Sequence, residues 1–361
     1  MTKTIFKPNA ALMKAANVAT REVLAVKESE RVLIITNPEK DVFEIAQAMY
    51  LASLKANASP TLVVQQKKNT FDYAEPAVIN AIKTEPPVIM MVNADRTGKD
   101  KEALANPYKG KGGETYSSVF DYLLYETKKI RAFWSPKVTI DMFVRTVPLD
   151  YCALHKRCAR IATELQNASE VRVRTALGTD VIIGVKGRKA RVDDGDFSVP
   201  GKGGNLPAGE VFISPQLGAS HGTIIFDGSI TLEKTVVIKT PVEIEIEKGF
   251  VTKIEGGKEA KSLRKFINNA EERPFEMMKN GELDGQKAKE YSRNARHIGE
   301  LGIGTNPCAQ IVGNVLEDEK VLGTVHFAIG SNYDHDALAL IHSDGIVKKP
   351  TMTVDGKLLK P

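Results

Sequence analysis

The chain has 361 residues, 42% of them hydrophobic and 26% charged, a balance that excludes wholesale disorder. The net charge of +5 is spread without a long basic run, so we expect no nucleic-acid partner. The sequence shows no signal peptide and no run of 18 apolar residues, so we expect no membrane partner either. Its three cysteines lack metal-type spacing, which is typical of the reducing cytoplasm. Such a length predicts two domains.

The first part of the chain alternates short β-branched runs with amphipathic segments. An Asn37-Pro38 helix start follows the first strand, and apolar residues at helical spacing then predict about four helical turns. We also predict strands at 31–37, 61–65, 88–93 and 130–134, and helices near 75–84 and 117–129. This alternation predicts an open, mostly parallel α/β sheet. Neither G-x-G-x-x-G nor a P-loop occurs, so we interpret this domain as scaffold, access wall or oligomer contact.

A helical stretch at about 138–168, interrupted at Pro148, closes this domain. We therefore predict an α/β domain over residues 1–168 and a β-rich α+β domain over residues 169–361. In the second helical part, Cys158 lies on the apolar face and is interpreted as a packing residue.

Short strands separated by glycine turns dominate the second domain. We predict strands at 171–175, 181–186, 210–214, 222–230, 235–239, 242–247 and 250–254. Lys248-Gly249 predicts a tight hairpin. Helices at about 258–270 and 284–296 follow, with an irregular insertion between them.

Histidines concentrate near the C-terminus. Three of the six fall between His326 and His342, among acidic residues, and imidazole with carboxylate is a common ligand set for divalent metals. In H-x-D, His342 and Asp344 share one face if the segment is a strand. His326 and Tyr333 lie seven residues apart across a glycine turn and can face one cavity. The alternative is that His342 and Asp344 lie close to each other in the sequence without binding a metal.

Two further carboxylates lie between glycines. Glu210 occurs in GGNLPAGEVFISP and Glu300 in RHIGELGIGTNP, where glycine indicates a close approach of backbone or ligand. An exposed glutamate in a turn is the alternative for each. His297 is interpreted as a partner of a ligand or as a cation at a helix C-terminus.

These segments carry a resemblance. NLPAGEVF, GELGIGTNP, EDEKVLGTVHFAIGSNY and IHSDG, in this order, resemble the aminopeptidase T/aminopeptidase S family of dinuclear metallo-exopeptidases from about residue 130 onward. The resemblance implies two divalent ions (zinc, cobalt or manganese) and a homodimer. It also implies Glu300 and Tyr333 as catalytic side chains and the following metal ligands: Glu210, Glu300, His326, Tyr333, His342 and Asp344.

Two departures from that family are visible. An insertion near 277–292 lengthens the spacing between the two glutamates, and Asp334, His335 and Asp336 stand where many relatives are glycine-rich. The substrate preference and the second metal site depend on these segments.

The resemblance predicts a metal-dependent aminopeptidase, a hydrolase whose metal-activated water attacks the N-terminal peptide bond of a peptide substrate. One alternative is a ring-cleaving dioxygenase related to dihydroxypyridine dioxygenase, with a single iron(II) on two histidines and an aspartate. In those relatives a histidine replaces the glutamate of GELGIG, so Glu300 favours the hydrolase. A non-catalytic family member is the third possibility.

Overall fold

The computed structural model describes residues 7–360. The chain forms two compact units. The first contains the residues up to Cys152 together with Gly195–Ala208, and the second contains Ala153–Asp194 and the residues from Gly209 onward. Our sequence analysis placed one boundary after residue 168, whereas this division passes through a helix and returns a short segment to the first unit. No helix among the described residues has the length and apolar character needed to cross a bilayer.

The secondary structure is as follows. The strands are β1 (Arg31–Thr36), β2 (Ser59–Val64), β3 (Val88–Asn93), β4 (Tyr108–Lys109), β5 (Thr115–Tyr116), β6 (Arg131–Pro136), β7 (Glu170–Arg174), β8 (Asp180–Gly184), β9 (Arg191–Asp193), β10 (Gly203–Asn205), β11 (Glu210–Ile213), β12 (His221–Phe226), β13 (Ser229–Thr231), β14 (Thr235–Val237), β15 (Val242–Glu247), β16 (Phe250–Gly256), β17 (Ile298–Gly304), β18 (Thr324–Gly330), β19 (His342–Lys348), β20 (Thr351–Val354) and β21 (Lys357–Leu359). The helices are α1 (Ala10–Val18), α2 (Lys40–Lys55), α3 (Pro76–Lys83), α4 (Lys101–Ala105), α5 (Val119–Asp121), α6 (Ile140–Thr146), α7 (Tyr151–Gln166), α8 (Lys258–Lys279), α9 (Gly285–Asn294) and α10 (Val315–Asp318), with π-helical turns at Ala19–Val23 and Tyr122–Glu126.

The first unit is built on a parallel sheet in the order β10-β6-β3-β1-β2. Every residue of β3 and all but the first of β1 are buried, as expected for continuous β-branched and apolar runs covered on both faces. The predicted open, mostly parallel α/β sheet is confirmed. The interruption predicted at Pro148 is also confirmed, because the structure ends α6 before it and begins α7 after it.

The second unit contains two antiparallel seven-stranded sheets, and the predicted β-rich domain is confirmed. One sheet has the order β16-β15-β12-β8-β7-β20-β21 and the other the order β14-β13-β19-β18-β17-β11-β9. Between β15 and β16, Lys248 and Gly249 both have positive φ (49° and 79°), which confirms the predicted hairpin.

Two predicted elements of the second unit are wrong in detail. The strand predicted at 222–230 is divided into β12 and β13, which belong to different sheets. The segment predicted to be irregular after residue 270 instead prolongs α8 through Pro274 to Lys279. The stripe of buried residues on α8 continues through Ala270 and Pro274, so packing outweighs the lost backbone hydrogen bond of the proline.

The glycine-rich segment around Glu300 is the interior strand β17 of its sheet, and all seven of its residues are buried. The alternative of a turn with an exposed glutamate is therefore wrong for Glu300. Glycine marked the close approach of neighbours, as the sequence analysis proposed. An added Cβ at Gly299 would lie 2.3 Å from the carbonyl oxygen of Ser331, and one at Gly304 would lie 2.2 Å from that of Val321.

Candidate metal centre

Four adjacent strands bring five of the six predicted ligands, all but Tyr333, to one face of the second sheet. In the register of β17, β18 and β19, Glu300 pairs with Ala328, and Ala328 pairs with Asp344. Directly opposed residues of antiparallel strands project from the same face. Alternation places His326 and His342 on that face as well, and Glu210 reaches it from β11 through its pairing with Gly304.

A glycine makes room for one imidazole. His326 pairs with Gly302 across β17 and β18, and a Cβ added to Gly302 would lie 1.9 Å from His326 Nε2. The imidazole therefore lies flat across the neighbouring strand and is completely buried. This position turns Nε2 toward the two glutamates, 3.1 Å from Glu300 Oε1 and 3.6 Å from Glu210 Oε2.

Glu300 lies between both histidines. Its Oε1 accepts a hydrogen bond from His326, and its Oε2 lies 3.1 Å from His342 Nε2. That same Nε2 lies 3.3 Å from Asp344 Oδ1. His342 Nδ1 lies 2.9 Å from the carbonyl oxygen of Ser331, to which it donates, so the ring is fixed with Nε2 turned to the carboxylates. Metal-binding histidines commonly have such a carbonyl partner on their second nitrogen.

The donor atoms form three compact groups. Within each group the ligand atoms lie within 4.8 Å of one another, and the groups are Glu210–Glu300–His326, Glu300–His342–Asp344 and Glu319–His326–Asp344. Oε2 of Glu210 is buried and accepts no hydrogen bond from residues 7–360, whereas the buried Oε2 of Glu300 and Oδ1 of Asp344 share the single Nε2 of His342, at 3.1 and 3.3 Å. Buried carboxylate oxygens without donors are costly, and a divalent cation removes that cost. The residues therefore fit a metal ion.

The imidazoles are protonated when no metal is bound. Burial by itself would lower the pKa of His326, but Glu300 and Glu210 outweigh it and raise this pKa to about 9. Asp344 and Glu300 likewise raise the pKa of His342 well above its usual value against the effect of burial. Burial would raise the pKa of Glu300, but its contacts with both histidines lower it to about 2. A metal ion must therefore displace protons from the histidines.

A buried lysine adjoins the ligands. Lys320 Nζ lies 2.6 Å from Glu210 Oε1 and 2.7 Å from Glu319 Oε1, and its side chain is 0% exposed. Burial by itself would lower the pKa of the ammonium, but Glu210, Glu319 and Asp193 outweigh it and raise this pKa above its usual value. The carboxylate partners therefore hold this lysine as an ammonium.

Tyr333 lies at the rim of the centre. Its ring centroid is 5.3 Å from that of His342 and 4.9 Å from that of Phe212, and the residue is 41% exposed. Burial of the hydroxyl and the carboxylates of the centre, Glu300 first among them, raise the pKa of Tyr333 well above its usual value, so the phenol is neutral. The ligand and catalytic roles of Tyr333 stay predictions.

The acidic residues after Tyr333 are paired with arginines. Arg188 pairs with Asp334 at 3.1 Å and with Asp336 at 2.7 Å, and Arg191 donates to the carbonyl oxygen of Tyr333 at 2.7 Å. These contacts fix the loop that carries Tyr333. The two aspartates therefore position the rim of the centre through arginine pairs.

The side chain of His297 is neither a cation at a helix end nor a partner of a metal ligand. It is completely buried, its ring packs edge-on against Phe250 at 5.3 Å, and neither ring nitrogen has a hydrogen-bond partner among the described residues. Burial lowers the pKa of His297 to about 4, so the ring is neutral at pH 7.

This buried histidine makes stability sensitive to acid. Between about pH 6.5 and 4 the unfolded chain binds a proton that the folded protein excludes, so stability is lost as the pH falls, by about 2 kcal/mol at pH 5. We expect His297→Leu to reduce the difference in unfolding free energy between pH 7 and pH 5 by about that amount, measured by urea unfolding. His221→Leu, at an exposed histidine, is the control. An unchanged difference in His297→Leu would contradict the assignment.

Lys320 and Phe212 were not predicted as site residues from the sequence, and Glu319 was only one of the acidic residues near the histidines. Lys320 belongs to the run EDEK, which resembles a solvated surface segment. Gly304 is the signal that was available, since only glycine admits the backbone of Val321, and with it Lys320, beside Glu210.

Comparison with known proteins gives the following matches. The family model of 2,5-dihydroxypyridine 5,6-dioxygenase matches residues 137–359, more than half of the chain. Over 120 residues the chain is 32% identical to the 2,5-dihydroxypyridine 5,6-dioxygenase of Pseudomonas putida, and this match covers 32% of the chain and 34% of that relative, about a third of its length.

Two solved structures share the fold. The 2,5-dihydroxypyridine dioxygenase from Pseudomonas putida superposes with a TM-score of 0.69 at 17% identity, over 98% of this chain and 99% of that one. Wild-type AmpT from Thermus thermophilus superposes with a TM-score of 0.64 at 16% identity, over 97% and 99%. The resemblance to aminopeptidase T is thus confirmed at the level of the fold.

The predicted function is wrong. The family match contradicts the aminopeptidase, and with it the assignment to hydrolases, metallopeptidases and proteases, and favours the alternative of a dioxygenase. An enzyme is still supported. The error arose because the choice between hydrolase and dioxygenase was based on one ligand, Glu300. Carboxylate and imidazole are both competent ligands for divalent metals, so this one residue does not identify the reaction.

Proposed function

Because this chain belongs to the 2,5-dihydroxypyridine 5,6-dioxygenase family, we propose that it opens the ring of a dihydroxylated pyridine with dioxygen at a single iron(II) ion. We assign the ion to Glu300, His342 and Asp344. The observation that carries the proposal is the convergence of these three donors on adjacent strands, with Nε2 of His342 3.1 and 3.3 Å from oxygens of the two carboxylates.

The donor set suits iron but differs from the commonest arrangement. Non-haem iron oxygenases typically use two histidines and one carboxylate, whereas this group has one histidine and two carboxylates. His326 lies on the other side of Glu300, where its hydrogen bond orients the glutamate. Iron bound at these donors supplies the redox chemistry by which dioxygen reacts with an aromatic ring.

The protein's own groups then orient the substrate and hold protons. The rings of Tyr333 and Phe212 form an aromatic rim beside His342, suited to the face of a planar heterocycle. The neutral phenol of Tyr333 is a hydrogen-bond donor for a substrate oxygen. His326, protonated in the metal-free centre, keeps Glu300 ionised.

Oxygen uptake tests this function. Protein freed of metal and loaded anaerobically with iron(II) is expected to consume one dioxygen per 2,5-dihydroxypyridine consumed, followed with an oxygen electrode and the ring absorbance. His342→Ala is expected to lose this uptake, and His221→Ala, at an exposed histidine, to keep it. No uptake by iron-loaded protein with any dihydroxypyridine isomer would refute the proposal.

A further inference from the structure

The cation already built into the centre is Lys320. Its Nζ approaches three carboxylates, at 2.6 Å from Glu210, 2.7 Å from Glu319 and 4.0 Å from Asp193, and no part of its side chain is exposed. A buried ammonium is costly unless carboxylates surround it, so this arrangement is a specific pairing.

The backbone fixes the ammonium in this place. The N–H of Lys320 donates to the carbonyl oxygen of Glu317 at 2.9 Å, and its carbonyl oxygen accepts from the N–H of Asn306 at 2.8 Å. The next residue, Val321, lies against Gly304 so closely that a Cβ there would be 2.2 Å from its carbonyl oxygen. Because Gly304 pairs with Glu210, this contact brings Lys320 to the glutamate.

Lys320 contacts two of the three groups of donors and not the third. Two of the groups contain His326, and Lys320 binds a carboxylate in each of them. It binds Glu210 in the group Glu210–Glu300–His326 and Glu319 in the group Glu319–His326–Asp344. It binds no member of the group Glu300–His342–Asp344. A second divalent ion beside His326 would have to share a carboxylate with the ammonium and would be repelled by it.

We propose that the Lys320 ammonium, paired with Glu210 and Glu319, takes the place of a second metal ion in the His326 half of the centre and limits the enzyme to one divalent ion, held by Glu300, His342 and Asp344. This inference rests on the proposed function for the identity of that ion. In this inference Glu210 and Glu319 bind the ammonium of Lys320 and not a metal ion. The centre of this chain then holds one metal ion and one ammonium.

Metal stoichiometry tests the inference without turnover. After dialysis against manganese(II) and gel filtration, elemental analysis is expected to find one ion per wild-type chain and two per chain of Lys320→Met, whose unbranched side chain is one atom shorter and carries no charge. Lys357→Met, at an exposed lysine, is the matched control and is expected to keep one. Two ions in the wild type, or one in folded Lys320→Met, would overturn the inference.

A second variant serves if Lys320→Met does not fold. Glu210→Gln is expected to keep one manganese per chain, because the inference gives Glu210 to the lysine and not to the metal. Loss of the ion from folded Glu210→Gln would overturn it. The two proposals fail separately, since one ion per chain without oxygen uptake refutes the dioxygenase reaction and not the role of Lys320, whereas oxygen uptake with two ions per chain refutes the single ion and the role of Lys320 but not the dioxygenase reaction.

Discussion

Glu300→Gln is expected to weaken metal binding by at least about 100-fold and to abolish oxygen uptake. Glu300 belongs to two of the three donor groups and contacts both histidines, at 3.1 Å each. Glutamine keeps the volume but exchanges the charge and one ligand oxygen for an amide nitrogen that cannot bind the ion. Isothermal titration with manganese(II) measures the affinity, and circular dichroism checks the fold.

The control for this variant is Glu247→Gln, an exposed glutamate of the same unit, which is expected to bind metal like the wild type. Wild-type affinity in folded Glu300→Gln would exclude Glu300 as a ligand. The proposed iron site would then have to lie elsewhere, because without Glu300 the group retains only His342 and Asp344.

Gly302→Ala is expected to disturb the centre although glycine has no donor side chain. The added Cβ would lie 1.9 Å from His326 Nε2 and 2.1 Å from Cε1, so either the imidazole or strand β17 must move. Overpacking of this kind costs about 1–3 kcal/mol of stability. Displacement of His326 also removes the hydrogen bond that orients Glu300, and we expect about 10- to 100-fold weaker metal binding.

Thermal unfolding of metal-free protein and titration with manganese(II) measure the two effects of Gly302→Ala. Gly285→Ala is a suitable control, because a Cβ at this first position of α9 meets only Met278 Sδ, at an ordinary 3.5 Å. It is expected to preserve metal affinity and to stabilise slightly, since alanine is the better helix former. Wild-type stability and affinity in Gly302→Ala would show that His326 does not depend on this contact.

The parallel strands β1, β2, β3 and β6 and several strands of the second unit were predictable because their pattern is local, whereas β17, β20 and β21 were not predicted. Continuous apolar runs such as β1 and β3 indicated buried parallel strands, and the alternation of Val242–Glu247 indicated a strand with one buried face. The H-x-D pattern placed His342 and Asp344 on one face of a strand, which the structure confirms with β19. For these strands, the spacing of the apolar residues and the chemistry of the side chains were sufficient for the prediction.

The reaction could not be read from the same residues. The predicted ligands Glu210, Glu300, His326, His342 and Asp344 do converge, but a set of imidazoles and carboxylates suits several metals and both hydrolysis and oxygenation. The similarity over residues 137–359 changed the assignment from hydrolase to dioxygenase, while the likeness to AmpT shows the fold alone. The homodimer and the role of Tyr333 as a ligand stay predictions.

Local patterns in the sequence were enough to predict the fold class, the main parallel strands of the first unit and the residue types that can bind a metal, because these depend on periodicity and on neighbours along the chain. Tertiary structure decided which charges share the centre. Lys320 and Glu210 are 110 residues apart, and their contact at 2.6 Å depends on strand pairing and on the close approach that Gly304 allows. A lysine in a charged run is typical of a solvated surface, and only burial among carboxylates makes this one part of the site.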